Sequence, residues 1–400
     1  MQSEDTNNMS VLCFGGVDWW YHNRAHVDIQ LIRRYTKKGP VLYVNSIVMQ
    51  KPKITKGRKF IQKLIRKSKS IFRGLNKVDT NFWVYSPISV PLHHMDWSKK
   101  LNEKVLRLQL KHVLRTLGLC DPLIWVVCPA ACDIALKLRR TKLVYLRTDA
   151  YELFPNVDFD AIKMYDRKLK ANSDLTLFVS SKLYDEEAPE CKESLLLDHG
   201  VDYDMFAAAD SFPDAPLEMR QIRRPIIGYF GSIDSHTVDY GLIEKLTDLL
   251  PEMSFVFVGR VYSDYPTFAR KDNVWMLGQK DYDKIPFYGK CFDVAIMPWR
   301  QTSWIQACNP IKLKEYLALG KPTVSTPFAE LNKYLDVIHI AKSPEDFAAC
   351  ISEALAENGP EQVAARRRKV EKASWDNKAE QVLERLFSNK RSAQEELVDV

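Results

Sequence analysis

Two patterns of apolar residues alternate along the chain. Short runs rich in β-branched and aromatic residues recur at 11–14, 41–44, 82–85, 124–127, 143–146 and 175–179. Between them lie segments whose apolar residues return at helical spacing, such as 25–35, closed by Gly39-Pro40. Continuous apolar strands alternating with amphipathic helices predict βαβ units and a mostly parallel sheet covered on both faces. A stretch rich in Ala, Pro, Asp and Arg at 206–225 lacks a strand pattern and reads as a linker. A second series of strands then follows at 226–230, 255–258, 274–276, 294–297 and 323–325. The predicted organisation is therefore α/β with two doubly wound domains, 1–205 and 226–372. Near the end, Ser374 is placed to cap a helix over 373–388 in which Trp375, Ala379, Val382, Leu383 and Leu386 share one face, which needs a partner surface. The tail 389–400 is polar.

Composition agrees with this picture, because 400 residues with 46% hydrophobic content exceed one ordinary open-sheet domain. The eight cysteines at 13, 120, 128, 132, 191, 291, 308 and 350 show no CxxC pair and read as reduced. A polar start and the lack of an apolar run of roughly 18 residues argue against a signal peptide or a spanning helix, so the expected location is the cytosol.

Charge changes the picture more. Eleven Lys or Arg residues and no acid fall within 51–77, and subtracting them from the total of +7 leaves −4 for the rest. Ile61, Leu64, Ile65, Phe72 and Leu75 share one helical face there, with Lys63, Arg66, Lys67 and Lys69 among the residues around it. That pattern predicts an interfacial helix docking the protein on the anionic inner face of the plasma membrane. A solvated surface helix is the plainer alternative. Nucleic acid is not expected, since no aromatic platform accompanies the charge.

In an open parallel sheet, ligands bind beyond the carboxyl ends of the strands. Four such turns carry candidate chemistry. Gly15-Gly16 follows the first strand and precedes Trp19, Trp20, His22, Arg24 and His26; Gly231-Ser232 and Gly259-Arg260 follow strands of the second series. The fourth and strongest is 308–322, where Asn309 is predicted as N-cap, Pro310 as the first helical residue, and Gly320 with Pro322 as the stop. The amide end of that helix, aided by Lys312, suits a diphosphate. Glu315 offers a carboxylate for a ribose diol. Taken by itself, a surface Glu315 paired with Lys312 is the simpler explanation.

The second half as a whole resembles the donor domain of GT-B glycosyltransferases, closest to the retaining glycosyltransferase family 4. The residues that carry this are IIGYFGSID from 226, FVFVGR from 255, NVWMLGQKDYDKIPFYGKCFDVAIMPW from 273, NPIKLKEYLALGKPTVST from 309 and SWDNKAEQVLERL from 374, in the family's order. In the first half the likeness is looser, resting on Gly15-Gly16, YLRTDAYE from 145, SDLTLFVSSKLYDE from 173 and HGVD from 199. The resemblance implies two Rossmann-like lobes facing across a cleft, with Glu315 on the ribose, the backbone of Met276 to Gly278 near the base, and Ser232, Arg260 and Lys312 near the diphosphate. It also implies Asp149 and His26 beside the reacting sugar, and a last helix returning to the first domain. One departure is Ala307, eight residues before Glu315, where the family usually has another glutamate; Asn309 is then the substitute. Asp-x-Asp triplets at Asp158, Asp202 and Asp281 read as loop and cap acids rather than metal ligands.

The function implied is transfer of a sugar from a nucleoside-diphosphate sugar, with retention in the family's manner, to a saccharide or lipid-linked saccharide in cell-surface polysaccharide or glycolipid assembly. Neither a metal nor another cofactor is expected. A nucleotide-sugar epimerase of the same architecture and a non-catalytic donor-fold scaffold are the rival expectations.

Overall fold

The computed structural model describes residues 9–21, 26–45, 69, 73–88, 96–154, 157–212, 214–262, 265–306 and 308–388. Most of the basic segment 51–77, together with His22, Arg24, Ala307 and the tail 389–400, lies outside the described residues. The chain divides into two units, one formed by Met1–Asp198 with Lys378–Val400 and the other by His199–Asn377.

The first unit is built on an eight-stranded sheet. Its strands are β1 (Val11–Phe14), β2 (Val41–Val44), β3 (Leu75–Asp79), β4 (Phe82–Tyr85), β5 (Leu123–Val126), β6 (Leu143–Arg147), β7 (Leu175–Phe178) and β8 (Ser194–Leu196), in the order β3-β4-β2-β1-β5-β6-β7-β8. All neighbours pair in parallel except β3 and β4. The central strands are buried at every position, which is why they read as unbroken apolar runs rather than as alternation. On one face Leu12, Phe14, Ile124 and Val126 pack with Leu110 and Val113 of the helix Asp96–Thr116. Strand order reverses between β1 and β5.

The second unit holds six parallel strands, β9 (Ile226–Phe230), β10 (Ser254–Val258), β11 (Val274–Gly278), β12 (Val294–Met297), β13 (Thr323–Ser325) and β14 (His339–Ile340), in the order β11-β10-β9-β12-β13-β14. Both orders are of the doubly wound Rossmann type, so the α/β fold class follows directly from the sheets. Here the reversal falls between β9 and β12.

The last helix, Trp375–Ser388, starts with the Ser374 hydroxyl accepting from the Asn377 amide at 3.2 Å. The boundary between the units falls inside it. Its later part receives the Tyr35 hydroxyl on the Ala379 carbonyl at 3.1 Å, while Arg385 pairs with Glu193. Two sequence expectations are corrected. The stretch 206–225 is not an open linker: the end of the helix Tyr203–Ala207, the 3-10 turn Ala208–Ser211 and the helix Leu217–Arg220 fall within it, and Phe206, Ala209, Met219 and Ile222 join the core of the second unit. Burial of these four side chains outweighs the local Ala and Pro bias. The helix Ile311–Ala318 starts one residue later than expected. Pro310 holds extended angles (φ −82°, ψ 124°) and serves as the cap itself.

Candidate active site

In the second unit the polar groups gather where strand order reverses. Gly231 follows β9 at φ +132°, a backbone conformation open chiefly to glycine. A β-carbon there would come within 2.6 Å of the Lys312 ammonium, and one on Gly259 within 1.7 Å of the Gly231 carbonyl oxygen. The two turns thus touch through backbone, and Lys312 reaches over them. Its Nζ donates to the Tyr229 hydroxyl at 2.8 Å and lies 4.6 Å and 5.1 Å from the ring centroids of Tyr229 and Trp299. Two aromatic faces suit a cation and fix its position.

Lys312 and Glu315 lie on the helix Ile311–Ala318, which is locked to the sheet because the Phe230 amide donates to the Tyr316 hydroxyl at 3.0 Å. Lys314, buried on the same helix, donates to the His199 carbonyl. Glu315 is 5% exposed and accepts from the Tyr282 hydroxyl at 2.9 Å through Oε1. Burial pushes its carboxyl up to about 7; the Tyr282 hydrogen bond and the Lys312 charge pull the other way without cancelling it, and Asp202 adds to the rise. Burial and the carboxylates of Glu315 and Asp202 hold the Tyr282 phenol well above its ordinary range, so it remains a donor. The simple surface ion pair is therefore replaced by separate partners, an aromatic cage for Lys312 and a phenol for Glu315.

Of the other donor-side candidates, Ser232 and Arg260 follow the carboxyl ends of β9 and β10. Ser232 is exposed, and its carbonyl accepts from the Tyr229 hydroxyl at 2.8 Å. Arg260 follows β10, with its guanidinium 5.0 Å from the Tyr262 ring centroid. Met276 and Gly278 are on β11, the edge strand, where Gly278 takes φ +70°. Asn309 is half-buried and Pro310 buried, just ahead of the helix.

A second polar cluster occupies the reversal point of the first unit. Asp28, fully buried, accepts from the Gly16 amide at 2.9 Å and the Ile29 amide at 2.7 Å, and its Oδ1 lies 2.7 Å from His26 Nδ1. The Tyr43 hydroxyl approaches the same carboxylate at 3.3 Å. Burial would raise the acid, but the His26 charge and hydrogen bond with the two amides hold it below the carboxylate range. For His26, burial acts to lower the value; the charge and hydrogen bond of Asp28, with the charge of Asp149, outweigh it and raise the imidazole. Asp149 follows β6, beside Thr148 and Tyr151. The glycine turn is packed tightly against its own unit. A β-carbon on Gly15 would strike the Tyr43 ring at 2.0 Å and one on Gly16 the Val127 side chain at 2.9 Å, so both glycines serve close packing, and the Gly16 amide is held by Asp28.

Sequence reasoning missed Asp28, Tyr229 and Tyr282. The first was detectable as a carboxylate two residues after His26 at a helix start, whereas the tyrosines carry no such signal. Of the triplet acids, Asp158 caps the helix Phe159–Asn172 by accepting from the Ala161 amide at 3.3 Å, and Asp281 occupies the position before a short 3-10 turn.

Residues 224–357 match the family described as Glycosyl transferases group 1. A Bacillus subtilis (strain 168) protein named "Putative teichuronic acid biosynthesis glycosyltransferase TuaH" is 29% identical over 182 residues, which cover 44% of this chain and 45% of that protein. The chain thus spans less than half the length of this curated relative. Among solved structures, a sucrose-phosphate synthase from Thermosynechococcus elongatus superposes with a TM-score of 0.68 at 14% identity, covering 96% of this chain and 100% of that one. Anabaena HepE in complex with UDP gives 0.64 at 13%, covering 95% and 100%. The chain has the GT-B fold, and the match to the group 1 glycosyl transferases falls on residues 224–357 of its second unit.

Proposed function

We propose that this protein transfers a sugar from a nucleoside-diphosphate sugar to a saccharide acceptor in the assembly of a cell-surface polysaccharide. The observation that carries this reading is the placement of Lys312 and Glu315, three residues apart on one helix beside the Gly231 turn. The group 1 domain and the likeness to the teichuronic acid protein support the class of reaction and product. The complex of HepE with UDP supports the kind of donor.

In this reading Glu315 accepts the two ribose hydroxyls, which favours its ionised form. Lys312, Arg260 and the opening amides of the helix at Ile311 receive the diphosphate. As the sugar–phosphate bond breaks, the anomeric carbon gains positive charge and the diphosphate negative charge, so fixed cations at the leaving group lower the barrier. Those groups supply the charge that a metal would otherwise bring, and the reaction needs none. Asp149 and His26 attend the reacting sugar, with Asp28 orienting the imidazole, and the configuration at the anomeric carbon is retained. The basic segment 51–77 holds the protein against the anionic inner leaflet, where a lipid-linked acceptor is met.

A panel of nucleoside-diphosphate sugars tests this. Release of nucleoside diphosphate, insensitive to chelator and speeded by a saccharide acceptor, is expected, with the product's anomeric configuration read by NMR. Epimer formation without release would sink the transferase reading, and absence of any donor binding would leave only a scaffold.

A further inference from the structure

We propose that the outer edge of the second unit binds a zinc-class divalent cation through His339, Cys350 and Glu353. His339 opens β14, the edge strand, and the other two residues project from the helix Pro344–Ala356 packed beside it. One ligand atom from each of the three lies within 4.8 Å of the others. A tetrahedral site with metal–nitrogen and metal–sulfur bonds of about 2.0 and 2.3 Å needs separations of about 3.5 Å. The long Glu353 side chain, 63% exposed, can change rotamer toward that geometry.

The spacing and the charge agree. Asp346, Cys350, Glu353 and Glu357 follow one another at helical spacing and share a face. The Cys350 sulfur is 4.0 Å from Asp346 Oδ1, and the His339 ring lies between Glu353 at 3.8 Å and Glu357 at 3.8 Å. Among the described residues no Lys or Arg pairs with Glu353 or Glu357, so three carboxylates surround a thiol and an imidazole without a cationic side chain between them. A nitrogen, a sulfur and an oxygen donor together suit a borderline-soft ion such as Zn²⁺ rather than Mg²⁺ or Ca²⁺. Asp346 Oδ1 is available as a fourth ligand, since the Lys342 amide takes Oδ2. The ion would clamp the edge strand to its helix; β13 and β12 separate β14 from β9, so the site is distinct from the Lys312 and Glu315 cluster.

Cobalt(II) titration of the chelator-stripped full chain tests this, because a cobalt–thiolate bond gives a charge-transfer absorption that oxygen and nitrogen ligands do not. One equivalent of cobalt should develop the band, and Zn²⁺ should displace it. Cys350→Ser should abolish the band, and Glu353→Gln, at an exposed position that folding tolerates, should weaken cobalt binding at least tenfold. Cys120→Ser, at the exposed cysteine, should leave both unchanged. A band that survives Cys350→Ser, no band at all, or unchanged affinity in Glu353→Gln would each overturn the site.

Discussion

Glu315 carries an acid–base argument that neither its sequence position nor its charge type reveals. Its carboxyl titrates near 7 in the fold against 4.5 ordinarily, because burial disfavours the charged form. The folded state therefore favours the neutral acid: stability falls as the pH climbs from the ordinary carboxyl range through about 7, and the full penalty stands above it. A diol that donates two hydrogen bonds reverses the preference. Nucleotide affinity should rise between about pH 6 and about pH 8, with a proton released on binding; calorimetry in buffers of different ionisation enthalpy reads both. Glu315→Gln should flatten the profile, and Glu315→Ala should weaken binding by about 1.5–3 kcal/mol. A pH-independent affinity in the native protein would remove Glu315 from the ribose. At His26 the neighbour matters as much as the ring. Asp28→Asn removes the charge that raises the imidazole and leaves one oxygen for two backbone amides, so the His26 titration followed by NMR should shift to lower pH. The same change should cost about 1–3 kcal/mol of stability.

The elements of this fold are legible in the sequence where a strand is buried on both faces and hidden where it is short or at an edge. β1, β2, β9 and β12 are unbroken apolar runs, and each can be placed from sequence. β3 forms an antiparallel edge, so Leu75, expected on the apolar face of a helix over 51–77, starts a strand with Asn76, Lys77 and Asp79 instead; β8 and β14 span three and two residues. Their pairing comes from the sheet, not from local preference. The candidate site is legible in the same proportion. A helix start flanked by Asn, Pro and Lys is a local signal, whereas the Tyr229 and Tyr282 contacts depend on distant strands and turns. Sequence also offers no reason for Gly259 beyond a small residue near phosphate. The structure supplies one, because its missing side chain admits the Gly231 carbonyl. Gly259→Ala forces backbone against a new methyl and should destabilise the second unit by about 3 kcal/mol or more, as overpacked sites do when backbone must move. Urea denaturation measures this, and a loss within experimental error would mean that the two turns separate at little cost.

For the molecule as a whole, charge is divided more sharply than mass. Outside 51–77 the chain is net acidic, so attraction to an anionic bilayer is expected of that one segment. Among the described residues no helix is long and apolar enough to cross a membrane. Each Lys or Arg near an anionic surface contributes about 1 kcal/mol, and the contribution is screened within a Debye length. Replacing Lys63, Arg66, Lys67 and Lys69 with Gln should therefore cost up to about 4 kcal/mol, roughly a thousandfold in vesicle affinity. Sedimentation with phosphatidylserine vesicles reads the loss, and added salt should mimic it in the native protein. Nucleotide binding should be unaffected, because Lys312, Glu315 and the turns at Gly231 and Gly259 belong to His199–Asn377. That separation gives the test its force. Lost vesicle binding with intact nucleotide binding assigns the segment to the surface; vesicle binding that survives would give the basic residues another task, and joint loss would trace the defect to folding.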